Sequence, residues 1–471
     1  MTDILDLKGW TVLGRTEEDG ADVLEAEYPL PMPTACPKCG TLDCIYRHGT
    51  KDTTYVDIPM RGKPAKLRAK VQRYRCTSCK ETFLQPLGGI LEGRRMTERC
   101  ATYIKAHSLR DTFTRIAENV GCDDKTVRTL GAEYMAELEA SHRPEMPDWL
   151  GIDETQIDGK MRCVLTDIGE RRILDMLPDR DKATLAGWLH RFKDRHWVKG
   201  VAIDMWRPYR DVSHQMFPGR PVVIDKFHVV RMANYCMERV RIRLQKQRKA
   251  GERRLWLQSK AMLNMRYAKL AEKGRFNLDM WLANEPELAA AYGLKEAFYN
   301  IYDLPKAQAV AAFDAFPGTI PASLKADFKT LTTAMKNWRT EILAYFDHPI
   351  TNAYTEALNG VAKTINRQGR GYTFEVLRAR LLYGKGPLEP WRLATVYPAN
   401  PTQLQLLKRE QGNRCQSCGC ELGRTKDDKA NVVVLVRGNT RRQQLICGLC
   451  NVGFHTEALN HRKPPSTQKS G

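Results

Sequence analysis

No apolar run in the 471-residue sequence approaches the roughly 18 residues that cross a membrane, so hydropathy excludes a spanning helix. There is no internal repeat at a fixed period, so the chain is not built of tandem units. The only low-complexity stretch is the tail HRKPPSTQKSG, residues 461–471, which is expected to be disordered. The start, MTDILDLKGW, is acidic where a signal peptide is basic; export is not expected, and a cytoplasmic location is. Acidic residues are in deficit. The 55 Asp and Glu stand against 75 Lys and Arg, a net charge of +20 that points to a polyanionic partner rather than a small neutral substrate. With 42% hydrophobic and 28% charged residues the chain reads as soluble and globular, and its length suggests about three folded units. Pro and Gly cluster at residues 86–93, 143–147 and 384–401, the expected linkers.

Fourteen cysteines are present, eight of them in four C-x-x-C pairs, and without a signal sequence this usage points to metal thiolates rather than disulfides. Cys36 and Cys39, with Cys76 and Cys79, bracket strand-like sequence and suit a closed tetrahedral zinc site of the ribbon type. Cys44 and His48 lie close enough to replace one ligand. The module would present Arg68, Lys70, Arg73 and Arg75 to a phosphate backbone. A second set, Cys415, Cys418, Cys447 and Cys450, encloses the strand-like Asn431 to Val436 and resembles the zinc scaffold of HNH-type nucleases. Residues 419–446 hold no histidine to activate water, so a non-catalytic zinc module is expected there.

Between residues 97 and 139 three helices are predicted, with Gly121 in the turn between the second and third. This is helix-turn-helix spacing: Phe113, Ile116, Ala117, Val120 and Val127 would pack together, and Lys125, Thr126 and Arg128 would face DNA. An ordinary helical hairpin is the alternative.

From residue 149 the pattern is strand, Asp158-Gly159 turn, strand, Gly169-Glu170 turn, strand, then helix, strand, short helix and strand. That order is RNase H-like. A right-handed crossover would set the strand ending at Asp204 beside the strand carrying Asp153, where a shared divalent cation could serve phosphoryl transfer. A third acid must come from farther along. Residues 352–366 read as a helix with an apolar stripe of Tyr354, Leu358, Val361 and Ile365, and periodicity alone leaves Glu341, Glu356 and Glu375 open. The run Arg239 to Lys249, which includes Arg241, reads as a helix with a basic face that could track phosphates.

The blocks Gly151-Ile-Asp-Glu-Thr155, Ile203-Asp-Met205, Val223-Ile-Asp-Lys-Phe-His-Val229 and Thr355-Glu-Ala-Leu-Asn-Gly360, continuing to Arg367 and Gly371-Tyr372, resemble those of the ISL-three family of bacterial insertion-sequence transposases. The resemblance runs over about residues 30–385 and implies a DDE domain with Asp153, Asp204 and Glu356 as its triad, Mg²⁺ or Mn²⁺ as cofactor, and Asp225 in support. It further implies double-stranded DNA as partner, a DNA contact at Arg367, and action as a homodimer on paired element ends in the nucleoid of a bacterial cell. The expected architecture is multidomain α/β: a zinc ribbon (1–88), a helix-turn-helix (95–142), an RNase H-like catalytic domain (148–385) with a helical insertion over about 230–345, and a C-terminal zinc module (403–460). A non-catalytic DNA-binding protein derived from a transposase is the rival reading.

Overall fold

The computed structural model describes residues 8–249, 253, 256, 260–384, 392–398, 401–415, 421–422, 431–437 and 440–447. The chain is mixed α/β and divides into two compact units, Met1–Arg143 with Ala362–Gly386, and Pro144–Val361 with Pro387–Gly471. Residues 362–385, expected in the catalytic domain, are thus counted with the first unit. Among the described residues no helix is long and apolar enough to cross a membrane.

The first unit opens with β1 (Thr11–Glu18), β2 (Ala21–Glu27), β3 (Ile45–Met60), β4 (Lys63–Cys76) and β5 (Thr82–Leu84). They form a sheet in the order β1-β2-β4-β3 with β5 on β4. Alternation along β4 buries Ala65, Leu67, Ala69 and Val71 on one face, and the last three join Trp10, Leu24 and Tyr55 in one cluster. Three helices follow: α1 (Glu98–Ser108), α2 (Phe113–Val120) and α3 (Asp124–Ser141). Each begins at a side-chain cap, with Thr97, Thr112 and Asp123 accepting from the amides of Cys100, Arg115 and Thr126. Gly121 ends α2 at φ 74°, and a Cβ there would stand 2.8 Å from Pro64, so the turn requires glycine for both backbone and space. Phe113, Ile116, Ala117, Val120 and Val127 are all buried in the core of this unit.

The second unit is built on β6 (Trp149–Ile157), β7 (Lys160–Asp167), β8 (Arg172–Leu177), β9 (Gly200–Ile203) and β10 (Val222–Ile224), in the order β10-β9-β6-β7-β8. β6, β7 and β8 are antiparallel; β9 runs parallel to both β6 and β10. The β6–β7 turn is Asp158-Gly159, both at positive φ (50° and 74°), as a tight hairpin of right-handed strands demands. The connections are α4 (Lys182–His190) and α5 (Arg207–Met216), and α6 (Lys226–Lys246) leads from β10 into a helical region that extends to Leu343. A single buried cluster joins the sheet to these helices.

Toward the C-terminus β11 (Arg392–Pro398), β12 (Asn431–Arg437) and β13 (Thr440–Ile446) form an antiparallel sheet, with the helix Pro401–Gln411 beside it in sequence. β11 lies within the Pro- and Gly-rich stretch read as a linker. Its own residues, Leu393, Thr395, Val396 and Tyr397, favour a strand, and the one proline it contains, Pro398, stands at its last position.

Candidate active site

Three parallel strands deliver three carboxylates to one level, Asp153 from within β6 and Asp204 and Asp225 from just past the ends of β9 and β10. Ile152 pairs with Ile203, and Ile203 with Ile224; each is buried, and each is followed by an aspartate, Asp153, Asp204 and Asp225. Asp225 is 1% exposed, and two backbone amides occupy its carboxylate: Oδ1 accepts from Phe227 N at 3.0 Å, capping α6, and Oδ2 from Asn352 N at 2.8 Å. It is a supporting residue. Asp153 and Asp204 instead face His228, on the first turn of α6, and ligand atoms of these three lie within 4.8 Å of one another.

Glu356 lies outside that trio and meets it through the imidazole. His228 Nδ1 is 3.3 Å from Asp204 Oδ1, and Nε2 is 3.7 Å from Glu356 Oε1. Neither buried ring nitrogen makes a well-directed hydrogen bond. Burial pushes the Asp153 carboxyl up to about 6, and the charges of Asp204 and Glu356 add to the rise, while the Glu154 amide and His228 oppose it. Glu356 is raised too, chiefly by burial, with Asp225 and Asp204 contributing and His228 opposing. Acids gathered in this way favour a proton or a cation. Three carboxylates fit a hard divalent ion such as Mg²⁺ or Mn²⁺, whereas imidazole by itself favours softer metals.

The helix Ala353–Gly369 brings Glu356 to the site on a face that mixes apolar and polar residues: of the expected stripe Leu358 is buried and Tyr354 and Ile365 are half-buried. Val361 is 48% exposed, whereas Thr355 and Asn359 are buried, as is Asn352 just before the helix. Asn359 Nδ2 donates to Asp153 Oδ2 at 3.0 Å and to the Glu154 carbonyl oxygen at 3.3 Å. The Thr355 and Thr166 hydroxyls meet at 2.7 Å, and Asn352 Nδ2 donates to the carbonyl oxygens of Ile152 and Ala202 at 3.2 and 3.3 Å. Gly151 permits this approach, since a Cβ there would stand 2.4 Å from Thr166 Oγ1 and 2.8 Å from Asn352 Oδ1. The sequence reading missed His228, Asn352, Thr355 and Asn359. The Asp-x-x-His spacing after β10 is the signal that could have found His228, because a strand-end cap puts the third helical residue on the same side.

In the first unit Cys36, Cys39, Cys76 and Cys79 converge within 4.8 Å. The Cys36–Cys79 and Cys39–Cys76 sulfur separations are both 3.8 Å, matching the tetrahedral edge of about 3.8 Å set by zinc–sulfur bonds near 2.3 Å. These four fit Zn²⁺. Cys44 stands outside the set, with its sulfur 3.3 Å from that of Cys76. Burial drives the Cys44 thiol up to about 11. At Cys76 the Cys79 and Ser78 amides and the Cys44 thiol overcome burial and bring the thiol down to about 6. Cys44 therefore supports a thiolate without replacing it. In the C-terminal sheet region Cys415 and Cys447 are buried together, with Cys447 N donating to Cys415 Sγ at 3.3 Å. Cys418 and Cys450 lie outside the described residues.

Of the expected DNA contacts, Lys125, Arg128, Arg73 and Arg367 are exposed, while Arg75 and Thr126 are half-buried and Thr126 Oγ1 donates to its cap Asp123 at 2.7 Å. Arg241 does not fit. It is 2% exposed on the inner face of α6, between Val240 and Leu244, and donates to Glu238, Gln245 and the Trp256 carbonyl oxygen. Arg243 and Arg248 are likewise held by Glu287, Asp327 and Glu285, so half of the six basic residues of this run pair with acids of their own unit.

Residues 150–381 match the ISL3 transposase domain, and residues 32–79 match the zinc finger of the IS204/IS1001/IS1096/IS1165 transposases. The transposase for insertion sequence element IS1001 of Bordetella parapertussis is 27% identical over 361 residues, which cover 72% of this chain and 86% of that protein. With Asp153, Asp204 and Asp225 inside one match and the four clustered cysteines inside the other, the chain belongs to the ISL3 family of transposases.

Proposed function

We propose that this transposase binds the ends of its own mobile element and cuts and joins DNA through a triad of Asp153, Asp204 and Glu356 on an RNase H-like scaffold. The sheet order β10-β9-β6-β7-β8, an antiparallel meander extended by two parallel strands, supports the scaffold. The observation that carries the reading is the approach of Asp153, Asp204 and His228 within 4.8 Å. Divalent cations bound there would supply the Lewis acidity for in-line displacement at a phosphodiester. The chain's own residues hold the acids in place. Asn359 fixes the Asp153 carboxylate, His228 keeps Glu356 beside Asp204, and the Asp225 cap sets the angle of α6. Water and then a DNA 3′-hydroxyl serve as nucleophiles, so no serine or tyrosine takes part.

End recognition falls to Lys125 and Arg128 near the start of α3, with Arg73, Arg75 and Arg367 on phosphates. Cys415, Cys418, Cys447 and Cys450 hold a second, structural zinc. The protein works as a homodimer across paired ends. In the test, Asp153→Asn and Asp204→Asn proteins are incubated with Mg²⁺ and duplexes carrying the DNA that flanks the coding sequence. Cleavage is expected to fall to background while duplex binding persists; cleavage at the wild-type rate in either variant overturns the triad.

A further inference from the structure

In the unit of residues 1–143 and 362–386, an open-sided cavity of about 570 Å³ is lined by Arg110, Arg115, Arg367, Arg370 and Arg380. One carboxylate, Asp111, faces these five guanidinium groups and pairs with Arg115 at 3.5 Å. Folding satisfies the arginines only in part. Arg110 donates to the Gly384 carbonyl oxygen at 3.2 Å and Arg367 to Thr364 Oγ1 at 3.4 Å, each using one of five N–H groups. Arg370 is held at φ 46°, a left-handed conformation that a side chain of its size seldom adopts.

Arg380 is the most constrained of the five. It is 5% exposed, its Nη2 donates to the Asp111 carbonyl oxygen, and its guanidinium lies 4.1 Å from the centre of the Tyr372 ring. Its buried Nε has no hydrogen-bond partner. A buried charged donor left unpaired is destabilising, and an entering anion would recover that loss. Arginine at every basic position favours two-point contact with phosphate oxygens over simple charge attraction. No Phe, Tyr or Trp lines the cavity, and its one ring, the His107 imidazole, already packs on Tyr103 with centroids 4.0 Å apart, so a sugar–phosphate backbone fits better than a free nucleotide.

We propose that this cavity grips backbone phosphates of duplex DNA, independently of sequence, and so anchors the helix-turn-helix segment on its target. The proposal rests on the reading of the chain as a DNA-binding transposase, but assigns a phosphate clamp distinct from the base-reading face of α3. For the test, the full-length protein and its Arg115→Gln/Arg367→Gln/Arg370→Gln variant, altered only at exposed side chains, are titrated across a salt series. The probes are one duplex carrying the DNA that flanks the coding sequence and one of arbitrary sequence. The variant is expected to bind both more weakly by the same factor, roughly tenfold or more at moderate salt, and to lower the slope of log K against log salt by about three. Arg370→Gln alone should lower it by about one, which keeps the test decisive if the triple variant folds poorly. An unchanged slope, or a loss confined to the flanking-DNA duplex, overturns the clamp. If the wild type shows no preference for the flanking duplex, end recognition fails, yet the slope on arbitrary DNA still decides the cavity.

Discussion

Asp153 is where the folded chain holds a carboxylate that water would solvate better. Burial and the nearby acids put it at about 6, against about 3.9 for an ordinary aspartate. The raised value means that the unfolded chain releases this proton first, so stability falls as pH climbs from about 4 to about 6 and stays lower above that window. The penalty is about 3 kcal/mol. Asparagine carries no such charge. In chelator at neutral pH, Asp153→Asn should therefore unfold several degrees higher than the wild type, with the gain vanishing near pH 4. Mg²⁺ should narrow the gap by stabilising the wild type alone. Thermal unfolding over a pH series, with and without Mg²⁺, checks this; a variant less stable than the wild type at neutral pH in chelator is the contrary result.

The helix Ala353–Gly369 and strand β6 are held to each other by polar groups, and this sets their tolerance to change. Gly151→Ala would drive a methyl group into Thr166 and Asn352. It is expected to cost about 1–3 kcal/mol, read as a lower denaturant midpoint, and to abolish cleavage through displacement of Asp153 two residues on. Thr355→Val, which removes the 2.7 Å hydroxyl contact with Thr166, should cost about 1 kcal/mol in the same measurement. The same elements mark the boundary of what the sequence discloses. The alignment of Asp153 with Asp204 was legible, because apolar runs that each end in an acid specify both register and direction. The inner face of the helix was not. Hydrophobic periodicity counts apolar residues, so Asn352, Thr355 and Asn359 leave no trace in it, and their partners, carbonyls, the Asp153 carboxylate and the Thr166 hydroxyl, are distant in sequence. Arg241 failed for the complementary reason: a charge run implies solvent unless the acids that meet it can be seen, and Glu238 was the only one close in sequence.

For the molecule as a whole, the net +20 already sets every acid against a base, but a local run of arginines does not say where the surplus lies, because Arg241, Arg243 and Arg248 pair with Glu238, Glu287, Asp327 and Glu285. DNA affinity must then depend on smaller basic surfaces whose shape is fixed by local frameworks, and at the amino-terminal end that framework is the cysteine cluster. Cys36, Cys39, Cys76 and Cys79 tie together the outer ends of the paired strands β3 and β4, and β4 carries Arg73 and Arg75. A closed zinc thiolate site contributes directly to folding, so losing the metal should loosen the whole hairpin. Metal analysis of purified protein is expected to give two zinc ions per chain, falling by one in Cys76→Ala and by one in Cys415→Ala. Cys76→Ala should also weaken binding to any duplex, because the arginines of β4 lose their fixed spacing. An unchanged zinc content in Cys415→Ala would remove the second site and leave the C-terminal sheet to be held by its buried valines and leucines alone, whereas an unchanged content in Cys76→Ala would contradict the geometry of the first.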